Sequence, residues 1–386
     1  MPVKNRLAEM VPEITAWRRD FHAHPELKYE EHRTAARVAE LLRSFGVDEV
    51  HEGIGRTGVV GVIRGRPGDR VIGLRADMDA LPILEKTGKP HASTIPGVMH
   101  ACGHDGHTAM LLGAAKYLAE TRAFNGTAVM VFQPAEEGGG GAKAMIDDGL
   151  FARWGIQEMY GLHTRPGLPL GSYATRTGPL LAAADTFRIF VTGKGGHAAR
   201  PHECVDPMLA AAQIVVALQG IVARNVNPLR AAVLSVCTCQ TDSPATNVIP
   251  QQVMLGGTVR TMDPALRDVM QTRLTSIATS VAEALGATAE VVYERGYPVT
   301  VNDAFAVEHA VDVAAAIAGP DAVNAQMEPM MGAEDFSYYG EQVPAAFIFL
   351  GNGDSAGVHS AEFDFDDDAI AYGSGWLVGM VEARAA

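Results

Sequence analysis

Residues 183–295 read as a unit that closes on itself, and this constrains how everything outside it can fold. Residues 185–191 alternate like a half-buried strand, 206–221 are helical, 231–241 and 252–260 are strands, 264–285 form a long helix and 287–293 a last strand. That order, βαββαβ, is the ferredoxin-like split unit, a small α+β domain. The flanking segments have another rhythm, with helices over 5–45, strands at 58–64, 71–76, 127–132, 159–162 and 345–350, and helices from near Asp105, over 304–318 and from near Asp366. Alternation of this kind predicts an α/β sheet covered by helices. A chain of 386 residues exceeds the roughly 250–300 that one core fills. The expected organisation is therefore an α/β domain from residues 1–182 and 296–386, with 183–295 inserted into it.

Candidate chemistry lies on both sides of the insert. Met99-His100-Ala101-Cys102-Gly103-His104-Asp105-Gly106-His107 packs a thiol, three imidazoles and a carboxylate into one short segment. Thiolate, imidazole and carboxylate together suit a borderline divalent metal: zinc, with cobalt, nickel or manganese also accepted. Further candidates stand at the ends of strand-like runs: Glu136-Glu137, His163 and His359. Asp77 and Asp79 end the strand over 71–76, where an α/β sheet builds its site, and a carboxylate there can take the second ring N–H of a ligating histidine. In an extended segment Glu136 and Glu137 point opposite ways. One can then bind metal while the other takes a proton from a polarised water and returns it to a leaving amine.

Other patterns fail for want of context. Gly53-Ile54-Gly55-Arg56-Thr57-Gly58 matches a dinucleotide fingerprint but opens a strand, where the phosphate cradle needs a helix. Gly353-Asp354-Ser355-Ala356-Gly357 matches a nucleophile elbow, which keeps a serine hydrolase using Ser355 as an alternative. The segment after this elbow is acidic, and His359 is the last histidine. Gly193-Lys194-Gly195-Gly196-His197 could bring an imidazole against a ligand as an oxyanion donor, or be a plain turn. Cys237 and Cys239 read as core thiols.

Acidic residues outnumber basic ones 45 to 31, a field that repels nucleic acid and anionic membrane. The apolar stretch 208–223 is interrupted by Gln213 and Gln219 and is shorter than the ~20 residues of a span, so a buried helix is expected. Lys4, Arg6, Glu9 and Glu13 leave no apolar core for a secretory leader, and only four cysteines suggest no disulfide framework. A cytoplasmic protein is the expectation.

These motifs, taken in order, resemble the dinuclear-metal aminoacylase/carboxypeptidase family of metallopeptidases. They are Arg18-Arg19-Asp20-Phe21-His22-Ala23-His24-Pro25-Glu26-Leu27, Leu74-Arg75-Ala76-Asp77-Met78-Asp79-Ala80-Leu81-Pro82, residues 99–107, Gln133-Pro134-Ala135-Glu136-Glu137-Gly138 and Gly332-Ala333-Glu334-Asp335-Phe336. The branch resembled holds hippurate hydrolases, N-acyl-amino-acid amidohydrolases and plant auxin-conjugate hydrolases. The resemblance implies a zinc-peptidase-like catalytic domain, with the insert as lid and dimerisation domain. It implies two divalent metal ions on Cys102, His104, Glu137, His163 and His359, with Glu136 as general base and Asp77 behind the ligands. It also implies a homodimer in which His197 reaches the other subunit's site, and a small N-acyl amino acid substrate received by Asn247 and Arg260. A dipeptidase, an N-acetyl-diaminopimelate deacetylase or a non-catalytic metal-dependent binding protein on the same scaffold are the alternatives. Thr164, Arg165 and Ser360 depart from the branch beside the ligands without removing any.

Overall fold

The computed structural model describes residues 5–385; Lys4, part of the N-terminal charge pattern, lies outside them. The chain divides into two compact units, Met1–Leu180 with Val301–Glu328 and Asp335–Ala386, and Leu181–Thr300 with Pro329–Glu334.

The larger unit is built on an eight-stranded mixed sheet. Its strand order is Glu49–Ile54, Gly58–Arg64, Asn125–Gln133, Arg66–Asp77, Glu158–Arg165, Ala345–Gly351, Tyr173–Ala174, Val323–Asn324. The middle four run parallel, in register that pairs Asp77 with Gln133, Leu74 with Tyr160 and His163 with Phe349. Ala345–Gly351 is buried along its whole length and Asn125–Gln133 over most of it, as expected for strands covered on both faces. The helix His104–Thr121 is buried on almost every side, with Asn5–Ala23 and Ala369–Arg384 packed along it. This explains its lack of an amphipathic stripe. The expected architecture, a mixed sheet covered by helices, is the one found.

Because the four central strands are parallel, their C-terminal ends lie along one edge of the sheet. Asp77, Gln133, His163 and the loop after Gly351 therefore emerge side by side. The strand carrying His163 runs to Arg165, past the expected end at 162. Pairing with Ala345–Gly351 keeps it extended that far.

The smaller unit has an antiparallel sheet ordered Ala232–Thr241, Gln252–Thr261, Ala183–Thr192, Thr288–Arg295, on which Pro207–Gly220 and Pro264–Ala284 pack. Asp206 and Asp263 cap these helices by accepting N–H groups from Met208 and Ala265, each with proline in the first turn.

Two expectations need correction here. The stretch Pro207–Asn225 is long and apolar enough to cross a bilayer by composition. The sequence predicts a buried helix here, but only the face with Pro207, Ala210, Ala211, Ile214 and Leu218 is buried. Met208, Leu209 and Val216 are exposed, because within this unit the helix has a sheet on one side only. Cys237 and Cys239 are not core thiols either; both are exposed on Ala232–Thr241, an edge strand whose register slips between Val236 and Thr238. Cys237→Ser and Cys239→Ser should each change unfolding free energy by less than ~0.5 kcal/mol, while Ile214→Ala should cost about 2–5 kcal/mol. Urea titrations followed by circular dichroism check both.

Candidate metal centre

Gly103 turns the chain at φ 84°, a conformation that sets Cys102 and His104 on one side of the helix start. A methyl group there would come within 2.5 Å of Thr164 Cγ2. The Sγ of Cys102, a ring nitrogen of His104 and a carboxylate oxygen of Glu137 lie within 4.8 Å of one another. Nε2 of His163 is 3.4 Å from Cys102 Sγ, and Nε2 of His359 is 3.1 Å from Glu137 Oε1. The five candidate ligands thus form one cluster, drawn from the helix start, the loop after Gln133, a central strand and the loop after Gly351. His359 sits at φ 65° and donates its N–H to the Ala101 carbonyl at 2.7 Å, which ties that last loop to the cysteine segment.

Hydrogen bonds behind the cluster choose which nitrogen faces in. His163 Nδ1–H donates to the Thr164 carbonyl at 2.7 Å, leaving Nε2 toward Cys102. His104 Nδ1–H donates to the Asp79 carbonyl at 2.8 Å and lies 3.2 Å from Oδ1 of the same residue. Its Nε2 is buried without a hydrogen-bond partner, while Glu137 Oε1 faces His359 Nε2. A buried acceptor without a donor is costly, so this open nitrogen, converging with sulfur, imidazole and carboxylate donors, fits divalent cations.

His107 was counted in the same dense segment, and with Asp77, His104 and His163 it forms a second group compact enough for an ion. Its Nδ1–H donates to Asp77 Oδ1 at 2.6 Å and its Nε2 accepts the Thr164 N–H at 2.9 Å, so neither nitrogen is open. Thr164 serves both histidines through its backbone. For that reason its side chain can depart from the branch pattern without disturbing the cluster. Asp77 itself is placed behind His107, 3.7 Å from His104 Nε2, whereas Asp79 backs His104.

Glu136 and Glu137 lie in a turn, not the extended segment expected, because Ala135 takes φ 53°. Their N–H groups donate to the two oxygens of Asp79, at 3.0 and 2.9 Å. The Glu136 carboxylate is buried within 4.8 Å of that of Asp335. Two buried residues, Arg75 and Asp335, had no role assigned from the sequence. Arg75 donates to Asp77 at 2.7 Å, to Asp335 at 3.1 Å and to Gln133 at 2.9 Å. The signal was available: an arginine inside an apolar strand requires buried acids as partners.

In the smaller unit His197 pairs with Val248 in a two-stranded ribbon, and Ala198 N–H donates to the Asn247 carbonyl. His197 Nδ1 accepts the Ala199 N–H at 3.1 Å, so its exposed ring presents Nε2–H outward. Arg260 is near the far end of Gln252–Thr261, about 26 Å along that strand from Gln252 at 3.3 Å per residue, with Nη1 donating to the Val259 carbonyl. Ser355 accepts the Asn352 amide at 2.8 Å and donates to the Ala356 carbonyl; no histidine among the described residues hydrogen-bonds to it.

Burial and neighbouring charges set the proton affinity of each candidate ligand. Hydrogen bonds to Cys102 and Glu137 hold His359 up, to about 10. Burial opposes charge on His104, yet Asp77 and Asp79 hold its pKa well above the ordinary value. Burial pushes the Cys102 thiol up and His163 well down. Cations must displace the protons of His359, His104 and Cys102, so affinity should rise with pH toward 10 and fall as His359 protonates below it. Isothermal titration with zinc or manganese at several pH values should show proton release; a pH-independent affinity contradicts the cluster.

The family model for "Peptidase family M20/M25/M40" matches residues 73–383. The chain is 40% identical to thermostable carboxypeptidase 1 of Saccharolobus solfataricus over 388 residues, covering 97% of each. It is 40% identical to the hippurate hydrolase of Campylobacter jejuni over 365 residues, covering 95% of this chain and 94% of that protein. The crystal structure of a dinuclear metal binding peptidase from the M20 family of Bacillus subtilis superposes with TM-score 0.85 at 33% identity, covering 98% of this chain and 99% of that one.

Proposed function

Because the chain belongs to peptidase family M20/M25/M40 and is a metal-dependent hydrolase of amide bonds, we propose that it cleaves N-acyl amino acids into a carboxylic acid and a free amino acid. The observation that carries this reading is the convergence of Cys102, His104, Glu137, His163 and His359, with the Nε2 of His104 buried and unpartnered among them. These five residues would hold two divalent ions. When bound, the ions supply Lewis acidity, polarising the scissile carbonyl and lowering the pKa of water. The hippurate hydrolase relative supports an acylated amino acid as substrate. The carboxypeptidase relative supports a dipeptide as the second reading, since both substrates carry a free carboxylate beside the amide.

Glu136 acts as general base and then general acid. Its carboxylate takes a proton from the attacking water and delivers it to the leaving nitrogen, which departs as a neutral amine. His197, with Nε2–H outward, donates to the developing oxyanion. Arg260 receives the substrate's carboxylate through its planar fork, and Asn247, which adjoins the His197 ribbon, meets the carbonyl together with His197. About 26 Å of strand lies between Arg260 and Gln252, three residues beyond the ribbon's Ile249. That distance supports His197 and the adjoining Asn247 serving the site of a second copy, in a homodimer formed through the smaller unit. The exposed Met208, Leu209 and Val216 and the open outer edge of Ala232–Thr241 favour that unit as the contact.

Glu136→Gln should keep metal content by elemental analysis while kcat falls by about 10²–10⁴-fold. Retention of most turnover would remove the base from this residue. The substrate reading is checked by mass spectrometry of metal-reconstituted enzyme against N-acetyl, N-benzoyl and longer N-acyl amino acids and dipeptides; a preference for dipeptides selects the second reading. Mixing His197→Ala with Glu136→Gln subunits should regenerate activity in hybrid dimers. No recovery after verified subunit exchange would place His197 in its own subunit's site or outside catalysis.

A further inference from the structure

Three non-glycine residues of the larger unit adopt left-handed backbone around a single side chain. They are Tyr29 at φ 63°, Arg56 at φ 86° and Ala135 at φ 53°, a region that L-residues avoid. Glu31 is fully buried at their centre. Its Oε1 accepts the N–H of Tyr29 and the N–H of Ala135, each at 2.9 Å. Its Oε2 accepts the hydroxyl of Thr57, the residue after Arg56. The same loops are laced to the turn beyond Ala135: the Arg56 guanidinium lies 4.1 Å over the Tyr29 ring, whose hydroxyl donates to the Gly139 carbonyl at 2.8 Å, and Lys28 donates to the Glu137 carbonyl at 2.8 Å.

Ala135 stands immediately before Glu136-Glu137. Its left-handed turn lets the next two N–H groups reach the two oxygens of Asp79, while the two carboxylates part, one to Cys102 and His104 and the other to Asp335. A right-handed or extended conformation at Ala135 would swing both following N–H groups to another direction relative to the strand Asn125–Gln133, and so away from Asp79, which the neighbouring strand holds.

We propose that Glu31 is a positioning residue for hydrolysis, holding Ala135 in the left-handed turn that aims Glu136 and Glu137. This rests on the reading of those two residues as base and ligand. Only Glu31's role as an acceptor is required. Burial pushes its carboxyl above the usual range, and an amide in its place keeps an oxygen for both N–H groups.

Steady-state kinetics and metal content of four proteins test this. Glu31→Ala should lower kcat about 100-fold, the scale of a misplaced catalytic group, with KM moving less than about threefold and with loss of bound zinc. Glu31→Gln should stay within about threefold of wild type in kcat. Adding Ala135→Gly to Glu31→Ala should recover about tenfold, because glycine takes a positive φ without a tether. If Glu31→Ala does not fold by circular dichroism, Glu31→Asp draws the acceptor back by one methylene and carries the same comparison. A double variant no better than Glu31→Ala, or Glu31→Ala equal to wild type in an active preparation, overturns the positioning role alone. A wild type that holds no divalent ion and cleaves no amide overturns the functional reading and this inference with it.

Discussion

Asp79, buried behind the ends of the parallel strands, accepts three hydrogen bonds from two segments that are far apart in sequence. The N–H of Glu136 and the ring N–H of His104 meet Oδ1, and the N–H of Glu137 meets Oδ2. A buried carboxylate with its donors removed would be destabilising by several kcal/mol, and bonds to an ionised acceptor are among the stronger ones in a protein. The strand end, the glutamate turn and the start of the buried helix are therefore held in one geometry. Each aims a group into the cluster formed with Cys102, His163 and His359. If Asp79 were displaced, the glutamates and His104 would lose their common reference together.

Around this contact, charges alternate through the interior. Arg75 stands between Asp77 and Asp335, and Asp77 holds His107, whose other nitrogen receives the Thr164 N–H. On the far side of the helix start, Asp105 in the first turn faces Arg18 and His22, each at 2.8 Å, an acid well placed at a positive helix end. Burial opposes charge on His22, yet Asp105 holds it up to about 9. Such networks stabilise only when every member is satisfied. Their main effect is to fix the orientation of imidazoles that a looser interior would let rotate.

Much of the fold was legible because burial imposes periodicity. The insert's alternating strands, the apolar central strands and the helix after the cysteine segment all appear at their expected places, within a few residues. Candidate ligands were legible because thiol, imidazole and carboxylate seldom crowd together for packing. Distinguishing between neighbours was harder. His107 resembles His104 in residue type and in distance along the helix, but a backbone N–H occupies its second nitrogen, and no spacing rule reports that. Asp77 and Asp79 are two residues apart, and which of them backs a candidate ligand depends on the register of Arg66–Asp77 against Asn125–Gln133. Cys237 and Cys239 misled because strand alternation marks a shared face without saying whether anything covers it.

By itself the sequence determined the two kinds of sheet, the dense donor segment and the companion acids and histidines, since those follow from residue type and period. Tertiary structure decided which atoms face one another. Parallel pairing brings together strand ends that lie far apart along the chain, and tautomers are set by carbonyls and N–H groups of other segments. The left-handed turn at Ala135 exists through the buried Glu31 carboxylate, 104 residues away in sequence. Long-range hydrogen bonds of this kind have no local signature, because their energy depends on burial that only the assembled chain creates.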